Sequence, residues 1–289
     1  MMKTTGIVYN PHKPTIEEKI RLLKERLLKS GFDVLFAIST EREINPADGR
    51  SNAEKKTQSP DRRKPLEKPD LLMVLGGDGS VLRSMNYAIR LDCPVIGINF
   101  GKFGFLTRFS FEKIIENPSI INASSISNRA LLKTLTYSGE RSESTLALND
   151  IVIQRSDLSQ VEMYDIAVNG NQFEPKAADG VVISTPTGST AYALSLGGPI
   201  VFPECFSMQL NLIAPHTIAN RPIIFNSNEY IDIKLESGDA MKCSIDGLPM
   251  REVDKISVSL SEKTFKLACP QGDDLVSVIE KKLLWGRRG

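Results

Sequence analysis

Five apolar residues lead into a glycine-rich turn in the segment Leu71-Leu72-Met73-Val74-Leu75-Gly76-Gly77-Asp78-Gly79-Ser80. An apolar run of this length is too short for a helix and is typical of a buried parallel strand. Val81, Met85 and Ala88 follow at helical spacing, so the segment predicts a strand, a glycine turn and a helix. This arrangement directs backbone N–H groups and a helix N-terminus toward one point, which favours a bound phosphate.

Asp78 is unexpected inside a phosphate-binding turn, because its negative charge repels a phosphate. The carboxylate therefore needs another role, such as accepting a proton, orienting a hydroxyl or holding a metal ion. The alternative is an ordinary Asp-Gly turn in which Asp78 caps the following helix. This segment by itself leaves both interpretations open.

Composition limits the classes of protein to which this chain of 289 residues can belong. The length predicts one large or two ordinary domains. With 41% hydrophobic and 25% charged residues, the chain has the composition of a soluble globular protein. A formal net charge of +1 gives no general attraction to nucleic acid or membranes. No apolar run has the length of a membrane span or a signal-peptide core, so we predict a cytoplasmic protein.

Cysteine and histidine are placed where neither disulfide nor zinc chemistry is favoured. The cysteines form no C-x-x-C pair and lie among apolar or small residues, which predicts buried free thiols in a reducing compartment. They are Cys93, Cys205, Cys243 and Cys269. The two histidines, His12 and His216, are too isolated for a zinc site, and we assign no protein ligands to a metal ion.

The N-terminal part of the chain alternates strands and helices. Residues 6–10, 32–36 and 94–99 are predicted strands, and residues 15–29 are a predicted helix. The apolar stripe of this helix consists of Ile16, Ile20, Leu23 and Leu27. Glycines follow the strand at 94–99 in the segment Gly101-Lys102-Phe103-Gly104-Phe105-Leu106. Because ligands gather at the carboxyl ends of strands in an open α/β sheet, both glycine turns are expected to face one crevice.

From about residue 125 the pattern changes to alternating, β-branched segments that predict strands. These are residues 131–137, 151–154, 164–168, 180–184, 230–235, 241–245 and 256–260. Residues 274–284 are again helical, with Trp285 after them. We predict a Rossmann-like α/β domain over residues 1–110 and 268–289, and a mainly β, sandwich-like domain over residues 111–267. The C-terminal helix is expected to pack back on the first domain.

Residues 46–69 interrupt this organisation with four prolines and an excess of basic side chains. A flexible basic loop is one interpretation, and its position just before the glycine-loop strand would let it reach over the site. A solvated insertion without function is the other.

Three further segments are rich in polar residues, and together they carry a family resemblance. They are Leu148-Asn149-Asp150, the segment from Ala178 to Tyr192 that contains Thr185-Pro186-Thr187-Gly188-Ser189-Thr190-Ala191-Tyr192, and Gly197-Gly198-Pro199. With the two glycine turns, in this order along nearly the whole chain, they resemble the NAD kinase family. The glycine loop alone is not specific, because phosphofructokinases and diacylglycerol or sphingosine kinases carry similar loops.

The resemblance implies transfer of the ATP γ-phosphate, with Mg²⁺ or another divalent metal, to the 2′-hydroxyl of the adenosine ribose of NAD. It places Asp78 at that hydroxyl as the catalytic residue. It places phosphates at the N–H groups of Gly76, Gly77 and Gly79 and beside Arg83, for which a surface salt bridge is the alternative.

The remaining nucleotide contacts are also implied by the resemblance. Asn149 matches an adenine edge, Asp150 a ribose hydroxyl pair, and Asp179 the nicotinamide end of NAD. Asp150 stands where many members have Glu, and Ala177 stands at a contact position that is often polar. The other family contact positions are Phe105, Thr190, Ala191, Tyr192, Ser195 and Asp246. For Asp246-Gly247 a hairpin turn explains the sequence equally well.

The resemblance further implies a homo-oligomer, and specifically a tetramer, whose mainly β domain binds NAD and forms the interface. Pro199-Ile200-Val201-Phe202 and Pro222-Ile223-Ile224-Phe225 are apolar runs suited to such a contact, although burial within one subunit also explains them. Two other functions remain open at this point. A diacylglycerol-type lipid kinase shares the glycine loop, and a pyridine-nucleotide-binding regulator would share the binding residues without catalysis.

Overall fold

The computed structural model describes residues 3–40, 67–156, 162–217, 220–272 and 274–283. Within this part the chain divides into two units. One runs to Ser127 and resumes at Lys266, and the other runs from Asn128 to Phe265. Residues 111–127 therefore belong with the first unit, whereas the sequence-based boundary at residue 110 assigned them to the second domain. The ligands assigned to each domain stay predictions.

Strands provide most of the regular structure. They are β1 (Lys3–Tyr9), β2 (Phe32–Ser39), β3 (Leu71–Leu75), β4 (Val95–Asn99), β5 (Phe109–Ser110), β6 (Ser125–Ser138), β7 (Arg141–Ala147), β8 (Asp150–Arg155), β9 (Glu162–Val168), β10 (Asn171–Gln172), β11 (Lys176–Ala178), β12 (Gly180–Ser184), β13 (Ser207–Ile213), β14 (Ile223–Asn226), β15 (Tyr230–Leu235), β16 (Met241–Ile245), β17 (Arg251–Val253) and β18 (Lys255–Cys269). The helices are α1 (Ile16–Lys29), α2 (Asp78–Leu91), α3 (Phe111–Glu116), α4 (Tyr192–Ser195) and α5 (Leu275–Leu283).

The first unit is built on a parallel sheet in the order β2-β1-β3-β4. Its core contains the predicted stripe of α1, with Leu23 and Leu27 fully buried. On α2, Val81, Met85 and Ala88 are buried, as their helical spacing predicted. The helix α5 also belongs to this unit and buries Val278, which confirms that the C-terminal helix packs with the α/β domain.

The second unit is a β-sandwich. One sheet has the antiparallel order β14-β13-β12-β8-β16-β17. The other contains β9, β15 and the first part of β18, also antiparallel. Alternate residues of both sheets form one hydrophobic core, as period-2 side-chain geometry requires. This core includes Ile151, Ile153, Val181, Ile183, Ile231, Ile233, Ile256 and Val258.

Several features differ from the sequence-based expectations. The sequence-based analysis missed β7, β13, β14 and α3. β7 is polar and largely exposed, which leaves no apolar pattern to detect. In β13, Met208, Leu210 and Leu212 do alternate with polar residues, but the strand is buried on both faces, including Gln209 and Asn211. Cys205 is exposed, so the prediction that every thiol is buried was wrong for this residue.

Two sequence-based predictions cannot be placed on this fold. Most of the basic segment 46–69, and Trp285, lie outside the described residues. Within the part of the chain that the structure describes, no helix is long and apolar enough to span a membrane.

Candidate active site

The carboxylate of Asp78 faces the second glycine turn instead of capping its own helix. Strand β3 ends at Leu75 and α2 begins at Asp78, with Gly77 as the N-cap and no side-chain cap hydrogen bond. The helix-cap interpretation of Asp78 was therefore wrong. Asp78 is half-buried, and Gly79 beside it is exposed.

Four hydrogen bonds hold the Asp78 carboxylate on the residues that follow Gly104. Its Oδ1 accepts the N–H of Leu106, the N–H of Thr107 and the hydroxyl of Thr107, each at 3.0 Å. Its Oδ2 accepts only one of these bonds, from the N–H of Phe105 at 2.8 Å. Because a carboxylate oxygen has two lone-pair directions, Oδ2 retains one for a further donor such as a ligand hydroxyl.

The second glycine turn approaches Asp78 so closely that one of its positions must be glycine. A Cβ on Gly104 would lie 2.0 Å from Oδ1 of Asp78 and 2.3 Å from the hydroxyl oxygen of Thr107. The turn is also tied to β4, because the Asn99 side-chain amide donates to the carbonyl of Thr107 at 2.8 Å. The ends of β3 and β4 thus place both glycine turns at one site within the first unit.

Some N–H groups of the glycine loop are hydrogen-bonded within the fold, and others are available to a ligand. Gly76 donates its N–H to the carbonyl of Ile98 at 2.9 Å, so this amide serves the fold. Asp78 and Gly79 occupy the first turn of α2, where N–H groups lack intrahelical partners. The Arg83 guanidinium lies near Gly79, with Nη1 3.7 Å from the position of a Cβ there. Within the described residues Arg83 forms no ion pair, so the surface salt bridge is not observed.

Cations from α5 extend this site in the first unit. Lys282 lies over the ring of Phe105, with Nζ 5.5 Å from the ring centroid, and Lys281 lies over the ring of Phe103 at 5.7 Å. The Arg108 side chain donates through Nε to the carbonyl of Phe105 at 3.2 Å. The neighbourhood of the second glycine turn is therefore basic, which favours a polyanionic ligand.

In the second unit, Asp246 binds the segment that carries two of the predicted nucleotide contacts. Its carboxylate accepts the N–H groups of Leu148 at 2.7 Å, Asn149 at 2.7 Å and Asp150 at 3.2 Å. Asp246 and Gly247 have φ angles of 49° and 71°, and the N–H of Leu248 donates to the carbonyl of Ile245. These are the features of a type I′ hairpin turn, so the hairpin interpretation is confirmed at this position.

Asp150 lies at the start of β8 and is buried. Burial, followed by the charge of Asp246, raises the pKa of Asp150 from 3.8 to about 7, while a bond from the N–H of Tyr192 lowers it. Burial also raises the pKa of Asp246, to about 6, against the lowering effect of its three amide bonds. The two carboxylates therefore titrate close to neutral pH.

The hydroxyl-rich segment after β12 wraps around the same Asn149. Thr185 donates its hydroxyl to the carbonyl of Leu148 at 2.6 Å, and its N–H to the carbonyl of Asn149 at 2.9 Å. A Cβ on Gly188 would lie 2.0 Å from the Asn149 carbonyl oxygen, so only glycine fits there. The predicted contacts Thr190, Ala191, Tyr192 and Ser195 follow directly, and Tyr192 and Ser195 are exposed at the two ends of α4.

Asp179 is held by an arginine that the sequence-based reasoning missed. The guanidinium of Arg155 lies 2.6 Å from Oδ1 of Asp179, and the Arg155 side chain is almost fully buried while that of Asp179 is 34% exposed. Ala177 lies two residues earlier, in β11, and is half-buried. The signal available in the sequence was an arginine two positions after the apolar run Ile151–Ile153, at the end of β8.

The structure thus groups the predicted residues into two sets, one in each unit. Asp78, the glycine loop, Arg83 and Phe105 belong to the first set. The second set is Asn149, Asp150, Ala177, Asp179, Thr190, Ala191, Tyr192, Ser195 and Asp246. Among the described residues no group of three or more His, Cys, Asp or Glu side chains is placed to hold a metal ion.

Comparison with known proteins matches both parts of the chain to one family. The model of the ATP-NAD kinase N-terminal domain matches residues 5–123, and the model of the ATP-NAD kinase C-terminal domain matches residues 148–269. An NAD kinase of Koribacter versatilis is 29% identical over 99% of this chain and 100% of its own length. An NAD kinase of Laribacter hongkongensis is 32% identical over 100% of this chain and 98% of its own length.

Solved structures show the same fold. The yeast NADH kinase complexed with NADH superposes with a TM-score of 0.78 and 22% identity, covering 100% of this chain and 89% of that one. An NAD kinase from Archaeoglobus fulgidus in complex with ATP gives a TM-score of 0.69 and 22% identity, covering 93% of this chain and 94% of that one.

Proposed function

The chain belongs to the ATP-NAD kinase family, and from this membership we propose how its residues divide the work of the reaction. The enzyme transfers the γ-phosphate of ATP to the 2′-hydroxyl of the adenosine ribose of NAD, giving NADP and ADP. The observation that carries the proposal is the carboxylate of Asp78, set within a glycine loop at a helix N-terminus.

Asp78 acts on the attacking hydroxyl. The 2′-oxygen forms a bond to the γ-phosphorus, the bond from that phosphorus to the β–γ bridging oxygen breaks, and the hydroxyl proton passes to the carboxylate. Oδ2 is the oxygen for this role, since it accepts one hydrogen bond whereas Oδ1 accepts three. The bonds from residues 105–107 hold the acceptor in place before the substrate arrives, which is the positioning that phosphoryl transfer requires.

The glycine loop and its cations hold the phosphates. A phosphate at the N-terminus of α2 accepts hydrogen bonds from backbone N–H groups. These are the N–H groups of Gly77, Asp78 and Gly79. Arg83, which lies beside Gly79, compensates negative charge on the phosphates of ATP. The N–H of Gly76 donates to the carbonyl of Ile98 and is not available to a phosphate. Glycine is needed at this position because an added Cβ would lie 2.2 Å from the hydroxyl oxygen of Ser80.

The second unit recognises the dinucleotide. Asn149 offers an amide donor and acceptor to an adenine edge, and Asp150 accepts from ribose hydroxyls. Asp179, balanced by Arg155, faces the nicotinamide end, with Ala177 beside it in sequence. The segment from Thr190 to Ser195 completes the contacts of this unit, and Phe105 is the corresponding contact residue in the first unit. Of these residues, Tyr192 has the exposed aromatic surface for stacking on a base or ribose.

A divalent ion such as Mg²⁺ would be held chiefly by the ATP phosphates. Mg²⁺ commonly binds through substrate phosphates and one or two carboxylates. Among the described residues no group of three acidic, histidine or cysteine side chains is placed to hold an ion, and the first-turn amides of α2 are placed to bind the phosphates that would carry it. The ion would neutralise negative charge that develops during transfer.

The working form is a homo-oligomer, and the family resemblance favours a tetramer. Strand β14 lies at the edge of the six-stranded sheet and exposes Ile223 and Ile224, with Phe202 and Phe206 also exposed. An exposed apolar edge strand can pair with other chains and aggregate unless it is buried. A second copy of this chain would bury it. Four free cysteines support a reducing compartment, the cytoplasm.

Turnover with defined substrates tests the function. The purified protein, given ATP, Mg²⁺ and NAD, is expected to form NADP and ADP in equal amounts, and no phosphatidic acid when diacylglycerol replaces NAD. Binding of NAD without turnover would favour the regulator, and phosphorylation of diacylglycerol alone would favour the lipid kinase.

A further inference from the structure

The turn that precedes β8 is fixed from two sides by residues distant in sequence. Asp246 takes up three consecutive N–H groups of this turn, those of Leu148, Asn149 and Asp150. Thr185 takes the opposite side, donating to the carbonyls of Leu148 and Asn149. The backbone of the turn is therefore held through both its donors and its acceptors.

We propose that Asp246 is a positioning residue, which acts on the nucleotide through Asn149 and Asp150 and does not contact the nucleotide itself. Its Oδ1 accepts two backbone N–H groups and its Oδ2 a third, all from one turn, so the bonds that the carboxylate makes serve the turn itself. Its own N–H donates to the carbonyl of Asp150 at 3.0 Å, so the two segments bind each other reciprocally. This role differs from the direct ligand contact that the family resemblance implies for this position.

The type I′ turn explains why this side chain reaches its target without strain. Asp and Asn are among the few residues that adopt a positive φ at the first central position of such a turn, and Gly247 occupies the second. The turn thus sets the direction of the Asp246 side chain through its backbone. A carboxylate is required because only an ionised acid accepts on both oxygens, and bonds to a charged acceptor are about twice as strong as neutral ones.

The influence of Asp246 extends past the turn to α4. Asp150, whose N–H it holds, accepts in turn the N–H of Tyr192 at the start of α4. A single carboxylate on the β16–β17 turn therefore fixes Asn149 and Asp150 directly. It also fixes Tyr192, the first residue of α4, through Asp150. We assign to it the alignment of these three residues toward one ligand, an inference that rests on the proposed function.

Asp246→Asn is the informative substitution, because Asn-Gly is a favoured type I′ pair and the hairpin is kept. The amide nitrogen of Asn would face one of the N–H groups, and with Leu148 fully buried that N–H would lose its partner. Asp246→Gly also suits the turn and removes all three bonds. The matched control is Asp254→Asn, where a carboxylate accepts the N–H of Gly139 at 2.6 Å in another hairpin of the same unit.

Two measurements are made on each full-length variant. Hydrogen exchange of the ligand-free protein is expected to accelerate at Leu148, Asn149 and Asp150 by about tenfold or more in Asp246→Asn, and further in Asp246→Gly. The KM for NAD is expected to rise by about tenfold while kcat changes less, since the residues affected bind the substrate uniformly. Asp254→Asn is expected to change neither quantity.

The outcomes separate the inference from the proposed function. Unchanged exchange at Leu148–Asp150 in ligand-free Asp246→Asn and Asp246→Gly overturns the positioning role, and a raised KM in that case assigns a direct contact. A loss in kcat as large as the rise in KM would also overturn the positioning role. So would a lower melting temperature with no change in KM. If the parent protein lacks NAD turnover, the proposed function fails, yet the exchange measurement still decides whether Asp246 orders the turn. Should neither variant fold, slow exchange of the Leu148 and Asn149 amides in the unaltered protein supports the inference, and fast exchange refutes it.

Discussion

At the scale of single residues, Asp78 combines two tasks that are separable by experiment. Its Oδ1 organises the turn at Leu106 and Thr107, and we propose that the remaining lone pair of its Oδ2 accepts the substrate hydroxyl. The amides of the second glycine turn compensate the charge of the carboxylate, which accounts for an acid beside a glycine loop.

Asp78→Asn is expected to reduce turnover by about 100- to 10,000-fold, which is the usual contribution of a general base. Asn keeps one oxygen for the turn at Leu106 and Thr107, so NAD binding should be largely retained. Steady-state kinetics and NAD titration measure the two effects. The matched control is Asp70→Asn, which removes a carboxylate charge in the same unit while its amide oxygen can still accept from the N–H and hydroxyl of Thr4. An Asp78→Asn rate within about threefold of the parent would show that no base is needed.

The raised pKa values of Asp150 and Asp246 predict opposite effects of pH on stability and activity. In the unfolded chain both groups titrate near 3.8, and in the folded protein near 7 and 6. As pH falls from about 8 to 5, the folded protein binds protons that the unfolded chain does not, so the free energy of unfolding should rise. Activity should fall over the same range, because neutral acids are poorer acceptors for ribose hydroxyls and backbone amides.

Thermal unfolding and kcat/KM for NAD, measured between about pH 8 and 5, test whether stability rises and activity falls on acidification. Asp150→Asn removes the group with the larger pKa shift, so its melting temperature should respond less to acidification than that of the parent. A parent protein whose stability and activity fall together on acidification would contradict the assignment.

At the scale of elements, much of the architecture was predictable because burial leaves periodic patterns. The stripe of α1 and the apolar run of β3 each identify their element from local sequence alone. The apolar run of β12 and the alternation of β15 also identified their strands. β13 was overlooked although Met208, Leu210 and Leu212 alternate with polar residues. The burial of its Gln209 and Asn211 could not be predicted, because alternating polar residues are typical of a strand with one solvated face.

The site was predictable in its residues but not in their partners. Asp78 meets Phe105 and Thr107 across 27 to 29 positions, and Asp246 meets Leu148 across 98 positions. Such pairs follow from strand order, which one sequence does not encode in any local pattern. For the same reason Arg155 was missed, and the helix-cap interpretation of Asp78 stayed open until its carboxylate could be placed.

The second glycine turn provides a test at this scale. Gly104→Ala should destabilise the protein by about 1–3 kcal/mol, because its Cβ would overlap the Asp78 carboxylate. It should also lower turnover by displacing that carboxylate. Gly101→Ala is the control, since Gly101 has a φ of 97° and open space around it. It should lose stability through backbone strain alone and keep its turnover. Equal turnover in both variants would contradict the coupling of this turn to Asp78.

At the scale of the whole molecule, the exposed edge strand β14 predicts that assembly and activity are linked. Ile224→Lys places a charge on that edge and should dissociate the assembly, lowering specific activity in parallel. Ile126→Lys is the matched control, because Ile126 is similarly exposed, at 48% against 51%, on a different strand. Light scattering and activity over a dilution series measure both properties. A fully active species with the mass of one chain would refute the link.

This chain phosphorylates the 2′-hydroxyl of the adenosine ribose of NAD at the expense of ATP. ³¹P NMR of one sample that contains the protein, ATP, Mg²⁺ and NAD tests this claim. We expect the resonance of a 2′-phosphomonoester on the dinucleotide to grow in step with ADP, and to be missing when NAD with a 2′-deoxyadenosine ribose is supplied. Formation of ADP without a new phosphomonoester, or the same product signal from the 2′-deoxy substrate, would contradict the claim.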